Sequence, residues 1–476
     1  MRPIKIVPLL AGSLLWACQS QEADFPLQED NSVVVVNETA ERQITQDVNS
    51  AEVDNILDLL FDNKAKSRAA DYDIHVIKDS KGNDRIICVN FSDNKGYALV
   101  SAVKSYEPIL AYAETGHFSE TDSLPLPVKA WMENTVDEIG ESVTLPADSL
   151  AKIASKWRRF EAVKPWRMSR SDETDIDLFH IMKSQIDQWV ADGYRVYSIN
   201  DYNEAISLGD HNAVVEFVQA NMYPAYCDNY SNITVVRVKE LGTQSGVGHW
   251  MKTAWYQEGG FNKLFPIIPD SQDQHIPVGC GVVAIGQIMY AYKYPQTFEW
   301  TAMPLYEGND DVSRFLLDVY YKCKARYNAE MNGTETTIPN RINALKGYGY
   351  SCGELSGNKL TTYNLAAGCP AILSGELSTA SGQKDDHAWV VEGAKIHEGW
   401  SEVEIWTFTY SDTFTKIYSE QTDVQRSTLF YTNWGYDETI NSNNGYYGFS
   451  VMLPSQKSEY TSNKIYHATT NIKPNK

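Results

Sequence analysis

The feature that most restricts the fold is a run of small and apolar residues held between two prolines. Gly279-Cys280-Gly281-Val282-Val283-Ala284-Ile285-Gly286-Gln287-Ile288-Met289-Tyr290-Ala291-Tyr292 follows Pro277 and precedes Pro295. A stretch this apolar and this long predicts a buried helix that opens at Cys280 and ends before Pro295. Gly281 and Gly286 each cost up to about 1 kcal/mol against Ala in a helix interior, which is reasonable where a neighbour must come close. Cys280 falls in the first turn, where unpaired N–H groups and the positive end of the helix dipole favour a thiolate. A cysteine in such a helix can equally be a buried hydrophobe, and position alone leaves both readings open.

A thiolate nucleophile needs a base, and the chain has nine histidines. His75, His117 and His180 lie upstream of the dense Gly/Trp/Tyr region that begins near residue 245, and His211, His249, His275, His397 and His467 have no distinctive setting. His387 differs: it opens the strand-like Asp386–Gly393 run after the polar Ser381–Asp385 stretch, with Pro370–Gly375 reading as the partner strand. Further on, Asn433 could accept a hydrogen bond from the imidazole while Trp434 shields that bond; Asn-Trp-Gly also suits a strand-to-turn transition. Gln274, six residues before Cys280, could join the Cys280 N–H as a second oxyanion donor, or be solvated surface. The order Cys, His, Asn matches the papain-like arrangement.

The N-terminus reads as an address. Arg2 and Lys5 precede a twelve-residue, mostly apolar stretch from Ile6 to Ala17, too short to span a bilayer, which needs about 20 residues. Leu15-Trp16-Ala17-Cys18 resembles a bacterial lipoprotein signal, which implies lipidation of Cys18 and an exported protein tethered at the outer membrane or cell surface, and open to release after maturation. The pattern does not distinguish the periplasmic from the external face. Composition narrows the partners: 41 Lys and Arg against 62 Asp and Glu give a net charge of −21, which argues against nucleic acid and against a polybasic membrane surface. Seven cysteines are too few and too scattered for a disulfide scaffold, and the pairing of Cys88, Cys227, Cys323, Cys352 and Cys369 stays open.

Upstream of the dense region the pattern is α+β. A helix is expected over Ala51–Phe61, strands over Tyr72–Ile77, Arg85–Phe91, Tyr97–Ala102 and Pro108–Tyr112, and a helix over Val128–Ile139. Another helix is expected over Leu178–Asp192. The domains expected are a signal at 1–17, a polar spacer at 18–47, an α+β domain at 48–164, a linker with a maturation site at 165–240, and the chemistry-bearing domain at 241–476.

Gly279-Cys280 with Gln287-Ile288-Met289 and Tyr294-Pro295, then His387-Ala388-Trp389-Val390-Val391 with Gly393, then Asn433-Trp434-Gly435, together resemble streptopain-family cysteine peptidases. Thr253-Ala254-Trp255-Tyr256-Gln257 with Phe261-Asn262 is similar to that family's opening block, and Gln274 takes the oxyanion-glutamine place. Val89–Phe91, Asn94–Ala102 and Pro108–Tyr112 look like its inhibitory propeptide. Gly281 after the nucleophile and Tyr436 after Asn-Trp-Gly depart from the family pattern, as does the polar loop from Asp437 to Gly445.

The resemblance implies an α+β, papain-like fold of two subdomains, with a nucleophile helix packed on an antiparallel sheet or barrel and a small α+β propeptide domain before it. It implies a cysteine endopeptidase zymogen acting on protein or peptide substrates through Cys280, His387, Asn433, Trp434 and Gln274, with the propeptide lying over the cleft as an intramolecular inhibitor. No His-x-x-x-His or Cys-x-x-Cys spacing occurs, and no metal or cofactor is expected. Two rivals stand beside it: a non-catalytic surface lipoprotein that binds or inhibits proteases, and a transpeptidase using the same site.

Overall fold

The computed structural model describes residues 43–61, 72–119, 124–161, 176–198, 233–356, 360, 364–365, 368–379, 382, 384–409, 413–437, 443–448 and 464–475. Cys18, the signal segment, most of the spacer, Cys227 and most of the 165–240 linker lie outside the described residues.

The N-terminal elements follow from periodicity. Helix α1 (Ser50–Leu60) starts with a reciprocal capping box, in which the Asn49 side chain accepts from Glu52 N–H and Glu52 accepts from Asn49 N–H. Strands β1 (Tyr72–Lys78), β2 (Asp84–Phe91), β3 (Tyr97–Ser101) and β4 (Ile109–Ala113) form an antiparallel meander, followed by helix α2 (Leu126–Ser142). β2 is buried on both faces because each face has its own cover. Ile87, Val89 and Phe91 pack with Val53, Ile56 and Leu60 of α1, whereas Ile86 and Cys88 pack with Val128, Trp131 and Ile139 of α2. After helix α3 (Ala147–Arg158) come α4 (Ile176–Ala191), β5 (Arg195–Ser198) and β6 (Ile233–Gly248).

The remaining chain supplies helix α5 (Cys280–Tyr292), α6 (Asp310–Lys322), a small hairpin β7 (Arg326–Asn328) and β8 (Gly333–Glu335), α7 (Ile338–Gly347), and β9 (Tyr350–Leu355). It closes with β10 (Ala371–Ser378), β11 (Lys384–Thr409), β12 (Thr413–Gln421), β13 (Gln425–Asn433), β14 (Gly445–Gly448) and β15 (Lys464–Pro474). The main sheet runs β1-β2-β3-β4-β14-β13-β11-β10-β15-β9, with β6 and β12 also paired to the long β11, and β5 to β6. Its paired neighbours are antiparallel. The protein is therefore α+β, and α5 packs against β11 as the sequence implied.

The N-terminal strands do not stand apart from the rest. β4 pairs with β14, placing Tyr112 opposite Tyr446 and Ala111 opposite Tyr447. The Tyr112 and Tyr446 rings stack at 4.9 Å, and the Tyr97 and Tyr447 hydroxyls meet at 3.2 Å in the interior. Residues 42–476 form one compact unit.

Two titratable groups, the buried His397 and the half-buried Glu138, give stability opposing slopes with pH. Burial, with Arg159 and Lys395 nearby, lowers His397 from 6.5 to about 3. The unfolded chain takes up this proton first, so stability falls as pH drops below 6.5. Burial raises Glu138 from 4.5 to about 7 despite a 2.6 Å bond from the Tyr106 hydroxyl. Here the folded chain takes up the proton first, so stability rises as pH drops from 7. Each slope is at most about 1.4 kcal/mol per pH unit, so the two offset each other between pH 6.5 and 4.5. Glu138→Gln should remove the gain and leave a protein that, relative to the parent, loses about 2–3 kcal/mol over that window in urea unfolding. His397→Gln should do the reverse; parallel curves for all three proteins would refute the assignment.

Candidate active site

Two tight approaches set the start of α5. Gly279, its N-cap, has φ 96°, and a Cβ there would lie 2.8 Å from the Thr334 methyl of β8, so only glycine suits the turn. A Cβ on Gly281 would lie 2.7 Å from Arg341 Cδ, which explains a glycine one residue inside the helix. The Thr334 hydroxyl donates to the Pro277 carbonyl at 2.5 Å and fixes the approach from the β7–β8 hairpin. From Gly281 to Met289 every residue of α5 is buried; Cys280 is half-exposed at the helix's positive end.

His387 lies on β11 opposite Gly375 of β10, with 2% of its surface exposed. Its ring lies parallel to Trp389 at 5.9 Å and tilted against Tyr436 at 5.3 Å. Nε2 is 2.9 Å from the Trp434 carbonyl oxygen. A carbonyl only accepts, so Nε2 carries the proton and Nδ1 is the nitrogen left for proton transfer. Cys280 and His387 line the same cavity, of about 1030 Å3, together with Gln257, Ser374, Arg341 and Tyr436.

Asn433 departs from the expected role. Its amide makes a reciprocal pair with Gln287 of α5 (3.1 and 3.2 Å), donates to the Thr253 carbonyl at 2.8 Å and accepts from Gly435 N–H at 3.1 Å. It makes no hydrogen bond to His387. Strand alternation gives the reason. Asn433 sits opposite Val390, whose side chain packs with the α5 cluster, whereas His387 alternates to the Trp389 face. The backbone of Trp434 orients the imidazole instead. The Trp434 indole packs on Trp389 and Tyr447, both at 5.4 Å, one layer from the histidine.

Gln274 also departs from expectation. It is exposed, its N–H donates to the Ser271 hydroxyl, its carbonyl accepts from Ile268 N–H, and it does not line the cavity. Gln257 does, and its carbonyl accepts from Val278 N–H at 2.9 Å, which ties it to the turn before Cys280. The signal for Gln257 was the Trp255-Tyr256-Gln257 block, which sequence reading singled out without assigning the glutamine a role. Arg341 was missed altogether: it is buried, donates to Ser374 Oγ at 2.8 Å and lines the cavity beneath Gly281.

Among the described residues, none before Tyr256 lines this cavity. The N-terminal part engages elsewhere, through the β4–β14 pairing and through α2, whose Asn134 amide donates to the Ser378 carbonyl at 3.4 Å. Also among the described residues, no group of three His, Cys, Asp or Glu side chains gathers as metal ligands, and Cys88, Cys280, Cys323, Cys352 and Cys369 form no disulfide.

Residues 45–139 match the model of the Spi protease inhibitor family. That segment contains α1, β1 to β4 and most of α2. No curated protein matches the chain. Among solved structures, the chain is similar to a fragment of Prevotella intermedia prointerpain A carrying a Cys-to-Ala substitution, at 14% identity, covering 84% of this chain and 98% of that one, with a TM-score of 0.43.

Proposed function

We propose that the chain is an exported cysteine endopeptidase made as a zymogen. The observation that carries this reading is the shared cavity: a half-exposed Cys280 at a helix N-terminus and a buried His387, its Nε2 committed to a backbone carbonyl, both open into it. Cys280 Sγ gives its proton to His387 Nδ1 and attacks the scissile carbonyl carbon, and the developing oxyanion accepts from the Gln257 amide and the Cys280 N–H. His387 Nδ1 gives its proton to the leaving amine, then takes one from the water that releases the acyl group. Trp434 O holds the ring through both steps, and Asn433 acts one layer back by fixing α5 to the end of β13 through Gln287. The match of residues 45–139 to an inhibitor family supports an inhibitory segment in the same chain, whose docking on the sheet leaves the described cleft unlined by it. Cys18 is the proposed lipid anchor.

Incubating the protein, after its N-terminal inhibitor-like segment has been cut away by limited proteolysis, with casein and an epoxide thiol reagent tests the reading. Casein is expected to be cut, each new C-terminus gaining one water, and the epoxide to stop cleavage by adding once, to Cys280. Products that carry an amine in place of water would favour the transpeptidase, and intact casein with unmodified Cys280 the non-catalytic binder.

A further inference from the structure

A second, smaller cavity of about 130 Å3 lies between the end of α3 and the ribbon of β6, β11 and β13, and it shares no lining residue with the cleft of Cys280. Arg159, His397, Glu240, Ser401 and Ser427 are among its walls. His397 is 1% exposed, and neither ring nitrogen has a hydrogen-bond partner. The Arg159 guanidinium lies over two glycines, 3.5 Å from where a Cβ on Gly242 would be and 3.4 Å from one on Gly399. It donates weakly to the Glu398 carbonyl at 3.4 Å, and its buried Nε has no partner.

Of the neighbouring charges, Lys156 is paired with Glu107, Glu398 pairs with Arg426, and Glu240 lies 3.6 Å from Arg195 and accepts from Ser401 at 2.7 Å while its buried Oε1 has no hydrogen-bond partner; Glu420 and Asp423 also line the cavity. Arg159, half-buried, forms no ion pair within 4 Å among the described residues, and Glu107 and Glu240 act on it from farther off. A cation drawn from water whose counter-charges stand off beyond contact is only partly compensated, and buried donors without partners add to the cost. Water can satisfy the N–H groups but brings no charge. A small anion supplies both, and one with several oxygens can accept from Arg159 Nε and the His397 N–H together.

We infer that this cavity binds one small tetrahedral oxyanion of the sulfate or phosphate class, held by Arg159 and His397. Because Arg159 follows the inhibitor-like segment and His397 belongs to β11, the bound anion staples the end of α3 to the sheet and stabilises the full-length chain. The site stands independently of the peptidase reading.

Equilibrium dialysis of the full chain carrying Cys280→Ala against radiolabelled sulfate tests this. One equivalent should bind, phosphate should displace it, and chloride at the same concentration should not. Thermal unfolding should shift upward and saturate with the same midpoint. Arg159→Gln and His397→Gln should each weaken binding about tenfold or more, Arg159→Lys less, and Lys183→Gln, on α4 away from the cavity, not at all. If the variants fail to fold, the dialysis of the parent chain still decides. No saturable binding below about 50 mM, equal displacement by chloride, or unchanged binding in folded Arg159→Gln and His397→Gln would overturn the proposal.

Discussion

Cys280→Ala and Cys280→Ser are expected to lower casein hydrolysis by roughly 10^4-fold or more while the chain still folds. The two halves of this expectation rest on different observations. The loss follows because the cavity offers no second thiol: Cys323 is buried with its thiol pushed up to about 12, and neither Cys352 nor Cys369 lines the cleft. Folding is retained because Cys280 is half-exposed and the contacts that set the turn belong to Gly279, Pro277 and Thr334. The substitutions remove a reacting atom and leave the packing of α5 intact, so the urea midpoint should stay near that of the parent. Hydrolysis persisting in Cys280→Ala would place the nucleophile elsewhere.

The second large effect separates two glutamines. Gln257→Ala should reduce kcat by about 10^2–10^3-fold, the usual cost of losing one oxyanion donor, with KM little changed. Gln274→Ala should be indistinguishable from the parent, since that side chain is exposed and outside the cavity. Steady-state kinetics on one peptide substrate checks both, and the opposite ranking would return the oxyanion role to Gln274.

The contrast between these glutamines marks what sequence could and could not carry. Gln274 was attractive because it is six residues from Cys280, but the turn at Ser271 and the bridge between Ile267 and His275 lead it away to solvent. Gln257 is 23 residues off and is brought back by one backbone bond to Val278, which leaves no trace in local pattern. The helix at Cys280 was legible because two prolines, a glycine cap and unbroken apolarity all act within one segment. The strands β1 to β4 and helices α1 and α2 were legible for the same reason, since period 2 and period 3.6 are local. Asn433 lies against Gln287 and not against His387 because its surroundings depend on which face of β13 it occupies, and that is set by the register with Val390. The joining of the N-terminal strands to the main sheet through Tyr112 and Tyr446 is likewise a long-range pairing that no local periodicity encodes.

The central claim is that His387 activates Cys280 inside one cleft. Alkylation by iodoacetamide, followed by mass spectrometry for each thiol, tests it most directly. Cys280 should react about 10^2-fold faster than Cys352, whose thiol burial pushes up, and His387→Ala should remove that advantage without altering the rate at Cys352. Equal rates at the two thiols in the parent, or a fast Cys280 that ignores the loss of His387, would contradict the account.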